Sequence, residues 1–237
     1  MKPIFMKKIA VLLVDDHMVV RQGLRALLAA EADIEVVGEA EDGRQGVALA
    51  RQISPDVIVM DVAMPLLNGL EATRQIARSV PSAKVLVLTS YNDEECVAQL
   101  MEAGAAGYLV KQAAAADLPK AIREIRRGNA FFSPCLNKRL RDRDLESFTS
   151  SGDSSKKNRD LTAREAEVLQ LVAEGFSNQQ TADQLGISIK TIEKHRQQVM
   201  NKLNIHETAG LTRYAISRGL VETSRPDVLE PVPPSRS

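Results

Sequence analysis

The chain has 237 residues, of which 44% are hydrophobic and 26% are charged, with 31 basic and 31 acidic side chains. This length is comfortable for two domains that each bury a core, and the hydrophobic fraction excludes a largely disordered protein. No run approaches the roughly 20 apolar residues that span a bilayer. A net charge of zero does not mark a nucleic-acid-binding protein, so evidence for one must come from local patterns.

The start of the chain and its two cysteines favour a cytoplasmic protein. Met1–Lys8 followed by Ile9–Val14 has the order of a signal peptide, but the apolar run is short and an acidic pair ends it. Met6 is as good a candidate initiator as the first residue. Cys96 and Cys135 lie far apart, without other ligands at metal-binding spacing, so we expect neither a disulfide framework nor a zinc site.

Short apolar runs alternate with amphipathic helical segments over residues 7–128. The predicted strands are Ile9–Val14, Glu35–Gly38, Val57–Met60, Lys84–Leu88 and Gly107–Val110. The predicted helices are Val19–Ala30, Gly43–Ile53, Gly69–Arg78, Cys96–Ala103 and Asp117–Arg127. Such alternation is typical of a parallel sheet covered by helices on both faces. We therefore predict an α/β domain with a doubly wound, five-stranded parallel sheet.

Residues 129–159 differ in composition and are predicted to form a linker. Lys138–Arg143 is mostly charged, and Ser147–Asn158 is rich in Ser, Lys and Gly with almost nothing apolar. A segment of this kind cannot offset its ordering entropy by burial. Two interpretations of its basic residues are open: they belong to a solvated spacer, which is favoured, or they assist binding to phosphate.

Residues 160–222 carry only helical signals. Thr162–Glu165 is a capping box that begins a helix ending at Gly175. Three further helices are predicted at Gln179–Leu185, Lys190–Leu203 and Thr208–Arg218, where Gly186 and Gly219 provide stops. We predict an all-α four-helix domain here, followed by a frayed, proline-containing tail over residues 223–237.

Polar side chains collect at the carboxyl ends of the predicted strands, where ligands bind in such sheets. They are Asp15 and Asp16 after the first strand, Asp61 after the third, Thr89 and Ser90 after the fourth, and Lys111 after the fifth. Converging carboxylates need a cation, and their oxygens suit Mg²⁺. The lysine and a hydroxyl would bind phosphoryl oxygens, and Asp61, at the sheet centre, is the best nucleophile for forming an acyl phosphate.

Each of these residues also has an ordinary interpretation. An Asp after a strand is usually a turn former or a helix cap, and a lone Lys is usually solvated. Met64 could merely fill a loop, and Tyr108 could be a packing residue. The complete set at the correct strand ends favours the phosphoryl-accepting site.

Four segments resemble the motifs of bacterial response-regulator receiver domains, which have a flavodoxin-like fold: Leu13–His17, Asp61–Gly69, Leu88–Ser90 and Gly107–Lys111. The resemblance covers Lys8–Arg127. It implies that a histidine kinase phosphorylates Asp61 and that Asp15, Asp16, Asp61 and the Ala63 carbonyl hold Mg²⁺. It also implies that Lys111 binds the phosphoryl group and that Thr89 and Tyr108 are switch residues. Gln112 stands where many receivers have a proline.

The third helix of the second half has one apolar and one polar face. The apolar face is a stripe of Ile192, Val199 and Leu203, and His195 fills the gap between the first two. The opposite, polar face could enter a major groove of DNA. The candidates for base contact on this helix are Glu193, Lys194 and Gln197. The candidates for phosphate-backbone contact are Thr162, Ser177, Asn178, Ser188, Lys190, Thr191 and Arg196. A purely structural unit with a solvated polar face is the alternative.

Residues 161–221 resemble the LuxR-type helix-turn-helix output domain of the NarL/FixJ family. The resemblance rests on Leu169–Asn178, Ala182–Ser188, Thr191–Arg196 and Asn201–Leu203. It implies binding of double-stranded operator DNA. Leu211, Ala215 and Ile216 resemble the family's dimerisation element, although the same helix could simply cap the core.

The two resemblances together predict a transcription regulator controlled by phosphorylation, which forms a homodimer on paired half-sites. We expect no enzymatic activity beyond self-phosphorylation and slow self-dephosphorylation. A phosphorelay or phosphate-sink protein is a second possibility, but the intact DNA-contacting helix argues against it. A hydrolase of the acyl-phosphate type is disfavoured, because no cap domain interrupts the sheet.

Overall fold

The computed structural model describes residues 7–89, 94–133, 161–218 and 220–221. Ser90, most of the predicted linker and the predicted tail lie outside the described residues. Within the described segments, none of the helices has the length and hydropathy needed to cross a membrane.

One parallel sheet with the order β2-β1-β3-β4-β5-β6 organises the first half of the chain. Its strands are β1 (Ile9–Val14), β2 (Ile34–Ala40), β3 (Val57–Asp61), β4 (Lys84–Thr89), β5 (Gly107–Val110) and β6 (Phe131–Phe132). The helices are α1 (Met18–Ala29), α2 (Gly43–Ile53), α3 (Gly69–Ser79), α4 (Glu94–Glu102) and α5 (Ala114–Arg126). The predicted doubly wound α/β fold is confirmed. Its strand order reverses at β1, so the carboxyl ends of β1 and β3 flank a ligand-binding crevice.

The sheet is buried on both faces. One cluster packs α2, α3 and α4 against it, including Val47, Ile76 and Leu100. The other packs α1 and α5 on the opposite face, including Leu28 and Ile122. Burial on both faces explains why the central strands are continuously apolar rather than alternating.

The sheet has six strands, whereas the sequence predicted five. Phe131 pairs with Gly107, and the buried Ser133 side chain accepts a hydrogen bond from the Val110 backbone nitrogen at 2.9 Å. A Cβ atom at Gly107 would lie 2.7 Å from the Phe131 carbonyl oxygen, so this pairing requires glycine. Two residues cannot show a strand periodicity, so the sequence pattern assigns Phe131 and Phe132 to the linker.

Four helices form the described part of the second half, residues 161–218 and 220–221, as predicted. They are α6 (Ala163–Ala173), α7 (Asn178–Leu185), α8 (Ile189–Leu203) and α9 (Thr208–Ser217). Their common core includes Val168, Leu169, Ile192, Val199 and Leu211, all at most 1% exposed. Helix α6 also contacts α3, so the two halves touch.

Candidate functional site

The predicted acidic residues converge at the carboxyl edge of the sheet. Potential ligand atoms of Asp15, Asp16, His17 and Asp61 all lie within 4.8 Å of one another. Asp15 and Asp61 are buried, whereas the Asp16 side chain is 28% exposed. The cluster therefore opens to solvent on the side of Asp16.

Lys111 joins this cluster from the end of β5. Its Nζ lies 2.7 Å from Oδ2 of Asp61 and 3.0 Å from Oδ2 of Asp15. A short 3₁₀ turn, Lys111–Ala113, directs the chain from β5 into α5. One ammonium group thus bridges two buried carboxylates at the edge of the sheet where the sequence placed all three residues.

The electrostatics of the cluster are dominated by burial. Burial raises the pKa of the Asp61 carboxyl to about 7; the neighbouring Asp15 adds to the rise and Lys111 opposes it. Burial by itself would lower the pKa of Lys111, but the two carboxylates outweigh it and the pKa is raised. An additional positive charge at this position would stabilise the ionised form of Asp61.

The donor set fits Mg²⁺. Asp15, Asp16 and Asp61 offer carboxylate oxygens, the ligand type this ion prefers, and the exposed side of Asp16 leaves room for retained waters. The sequence gives no signal for His17, whose Nδ1 lies 2.8 Å from Oδ1 of Asp16. An imidazole nitrogen suits transition metals better than Mg²⁺, so we assign His17 no ligand role.

Hydrogen bonds hold the two buried carboxylates in place. The Val62 backbone nitrogen donates to Oδ1 of Asp61 at 2.8 Å, and the His17 backbone nitrogen donates to Oδ1 of Asp15 at 2.8 Å. Buried Arg21 donates from Nη1 to the Asp15 carbonyl oxygen at 2.7 Å. Sequence reasoning missed Arg21, because an arginine on an amphipathic helix normally indicates a solvated side chain.

The predicted switch residues are both buried. Thr89 ends β4 and is 1% exposed, and Tyr108 in β5 is also 1% exposed. Tyr108 belongs to the cluster that contains Val97 and Leu100 of α4. It therefore belongs to the core on the α2, α3 and α4 side of the sheet, and a switch role would have to operate from this buried position.

Helix α8 presents the predicted polar face to solvent. Lys190, Glu193, Lys194 and Gln197 are exposed, whereas Ile192 on the opposite face is fully buried. The three predicted base-contacting side chains therefore face solvent, where a groove could approach them, and Nε2 of Gln197 donates to Oδ1 of Asn201 at 3.0 Å.

Several predicted phosphate contacts also have structural roles. Thr162, Ser177 and Ser188 are the N-caps of α6, α7 and α8, and each side chain accepts a hydrogen bond from a backbone nitrogen in the first turn. Thr191 contacts Ser188, with 2.8 Å between their hydroxyl oxygens. These capping roles are compatible with DNA contact, because a helix N-terminus can also bind phosphate. DNA contact by these residues stays a prediction.

Arg196 connects three helices. Its guanidinium donates to Oδ1 of Asn178 in α7 at 3.1 Å and to Oγ1 of Thr208 in α9. To contact a phosphate, Arg196 would have to break these hydrogen bonds or use the guanidinium for both purposes. Arg196 and Asn178 therefore help to fix α8, and their contact with the DNA phosphate backbone stays a prediction.

The predicted dimerisation residues divide into two groups. Leu211 and Ala215 are 1% and 0% exposed and belong to the core of their own unit. Ile216 is 36% exposed. The structure therefore supports core capping for the first two, the alternative that the sequence left open, and leaves Ile216 as the outward side chain of this set.

Comparison with known proteins gives matches to both halves. Residues 11–123 match the response regulator receiver domain family, and residues 159–215 match the luxR family of bacterial regulatory proteins. The transcriptional regulatory protein LiaR of Bacillus subtilis (strain 168) is 42% identical over 213 residues, which cover 90% of this chain and 99% of LiaR.

Solved structures give the same result. The Salmonella typhimurium RcsB response regulator has 30% identity and a TM-score of 0.60, with 90% of this chain and 99% of that chain covered. A structure of an RcsB–DNA complex has 29% identity and a TM-score of 0.55, with 89% and 99% covered. The chain belongs to the two-component response regulators that join a receiver domain to a luxR-type DNA-binding domain.

Proposed function

We propose that this chain regulates transcription in the cytoplasm and that phosphorylation of Asp61 by a histidine kinase controls its binding to operator DNA. The observation that carries this proposal is the position of the Asp61 carboxylate. It ends the central strand β3, 2.7 Å from Lys111 and beside Asp15 and Asp16, in a chain that also exposes the polar face of α8.

The chemistry assigned to Asp61 is nucleophilic. A carboxylate oxygen attacks the phosphorus of a phosphohistidine, an O–P bond forms, and the N–P bond breaks as the histidine leaves and takes up a proton. Lys111 is positioned to bind the oxygens of the transferred group, and Thr89, at the end of the next strand, supplies a hydroxyl.

Magnesium belongs to the same proposal. Asp15, Asp16 and Asp61, with the Ala63 carbonyl, would hold the ion, and its charge would offset the repulsion between the carboxylates and the phosphoryl oxygens. Within the chain, Arg21 fixes the Asp15 backbone and Val62 orients Asp61. Catalysis by the chain itself is then limited to self-phosphorylation from small donors and slow self-dephosphorylation.

The output is DNA binding by a homodimer. RcsB, which is similar over most of its length, has been solved in complex with DNA. In this chain the exposed side chains Glu193, Lys194 and Gln197 provide the chemistry for base contact. A protein that only stores or relays phosphoryl groups has no use for such a face.

The first test measures phosphorylation and DNA binding on the same samples. Incubation with acetyl phosphate and Mg²⁺ should add one phosphoryl group, seen as a mass increase of the intact chain, and Asp61→Asn should abolish it. Genomic fragments recovered with the phosphorylated chain should be enriched over those recovered with the variant. Full phosphorylation of Asp61→Asn, or identical fragments from both proteins, would contradict the proposal.

A further inference from the structure

We infer that Gln170, in the DNA-binding domain, is a positioning residue of the phosphoacceptor pocket, because it holds the receiver loop between β3 and α3. This loop, Val62–Asn68, begins directly after Asp61 and contains Ala63. The inference rests on the proposed function only for the identity of the pocket.

The Gln170 side chain uses its full hydrogen-bonding capacity. Its Oε1 accepts from the backbone nitrogen of Asn68 at 2.8 Å and from Nδ2 of Asn68 at 3.0 Å. Its Nε2 donates to the Met64 carbonyl oxygen at 2.8 Å and to Oε1 of Glu174 at 2.7 Å. The residue is 0% exposed. A buried amide with every donor and acceptor satisfied fixes the groups around it, since losing any one bond leaves an unpaired buried polar atom.

Further contacts extend this attachment along the loop. Glu174, one turn after Gln170, accepts from the Leu66 backbone nitrogen at 3.2 Å. Leu66 adopts a left-handed backbone with φ of 66°, and its side chain packs against the core of the DNA-binding domain. On the flank, Gln75 of α3 donates to Oε1 of Glu167 in α6 at 3.0 Å. The DNA-binding domain therefore contacts the loop and the adjoining helix α3 at several points.

The loop that Gln170 binds is tightly packed against the backbone of Asp61. The Gly69 backbone nitrogen donates to the Val62 carbonyl oxygen at 2.8 Å, which closes the loop on itself. A Cβ atom at Gly69 would lie only 1.9 Å from the Asp61 carbonyl oxygen. The Met64 carbonyl that Gln170 binds is adjacent in sequence to Ala63. Displacement of the loop at Met64 is thus transmitted over one residue to the backbone next to the pocket.

Docking through Gln170 should therefore preorganise the pocket. A loop already held in one geometry loses less conformational freedom when its backbone becomes a ligand, so the pocket binds its cation more tightly. Linkage makes the effect reciprocal: an occupied pocket strengthens docking. The exposed face of α8 remains uncovered in this arrangement, so the contact acts through the loop rather than by blocking the DNA-binding surface.

The test compares Gln170→Ala with Gln198→Ala, an exposed glutamine of α8, in the full-length chain. Isothermal titration with Mg²⁺ should give a dissociation constant at least fivefold larger for Gln170→Ala, at the lower end of typical coupling between sites, and no change for Gln198→Ala. Hydrogen exchange should be faster over residues 62–68 in Gln170→Ala alone. Glu174→Ala should shift both measurements in the same direction and serves if Gln170→Ala does not fold.

Unchanged Mg²⁺ affinity in both loop-releasing variants would overturn the inference, even if hydrogen exchange of the loop increases. This failure is distinguishable from failure of the proposed function. Phosphorylation of the wild-type chain at Asp61 is measured separately by mass and requires no change in the loop.

Discussion

At the scale of single residues, the carboxylates of the pocket differ in how the protein engages them. Asp15 and Asp61 are buried, and each accepts a backbone hydrogen bond and contacts Lys111. Asp16 is partly exposed, and its Oδ1 lies 2.8 Å from Nδ1 of exposed His17. Asp16 is therefore the carboxylate that can reorient toward a cation with least loss of protein contacts.

We expect Asp16→Asn to weaken Mg²⁺ binding at least tenfold, about 1.4 kcal/mol, because the variant keeps the size of the side chain and loses its charge. Isothermal titration of the full-length chain measures this. Glu35→Gln removes an equivalent charge from an exposed position of β2 and should leave the affinity unchanged. Equal affinity for Asp16→Asn and the wild type would remove Asp16 from the metal site.

The sequence identified Asp15, Asp16, Asp61 and Lys111 because position after a strand is a local property. The roles of Arg21 and Gln170 could not be predicted from the sequence, because each depends on a backbone carbonyl that the tertiary fold brings to the side chain. A polar side chain on an amphipathic helix gives no sign of such a partner.

At the scale of elements, α6 is joined to α8 by one carboxylate. Glu165 completes the capping box by accepting from the Thr162 backbone nitrogen at 2.7 Å, and it also pairs with Lys202 near the end of α8 at 2.7 Å. Burial raises the pKa of Glu165, but Lys202 and Thr162 outweigh it and hold the pKa below its usual value. The capping signal was evident in the sequence, whereas the ion pair was not.

We expect Glu165→Gln to lower the free energy of unfolding of the DNA-binding domain by about 1–3 kcal/mol at pH 6, because the charge-assisted bond to Lys202 is lost. A carboxyl with a lowered folded pKa stabilises above its unfolded pKa, and this stability is lost as the pH falls through the folded pKa. The difference between wild type and variant should therefore shrink below about pH 4.5, near the unfolded value.

Urea unfolding of the second unit at pH 6 and at pH 3.5 measures both effects. Glu193→Gln, an exposed carboxyl on α8, is the matched control and should change stability little. A pH-independent difference for Glu165→Gln would mean that the ion pair with Lys202 contributes nothing and that only the cap geometry was disturbed.

At the scale of the whole molecule, the two domain folds followed from sequence patterns but their contact did not. Strand runs and helix caps are local signals, whereas β6 has two residues and was recognisable only beside Gly107. The docking of α6 on the receiver loop includes packing of Leu66 against the core of the DNA-binding domain. No periodicity within either half encodes that approach.

Lys194 and Lys190 of α8 are expected to contact DNA in different ways. We expect Lys194→Ala to cost about 1–3 kcal/mol at one base pair and to relax specificity there, because Lys194 lies on the exposed centre of α8. Lys190→Ala should instead weaken all sequences similarly and reduce the salt dependence, as loss of a phosphate contact does. Binding to the operator and to its single-base variants across a salt series separates the two outcomes. Uniform weakening by Lys194→Ala would show that α8 is placed incorrectly in the groove.

The contact between α6 and the loop joins two parts of one chain and is therefore intramolecular. Covalent connection gives each partner an effective local concentration, on the order of millimolar for short flexible connections. Even an intrinsically weak contact of this kind persists at nanomolar protein. Association of two chains weakens with dilution, whereas the Gln170 contact does not. Inside a cell with few copies of the protein, the pocket would keep its support from the DNA-binding domain before any dimer forms.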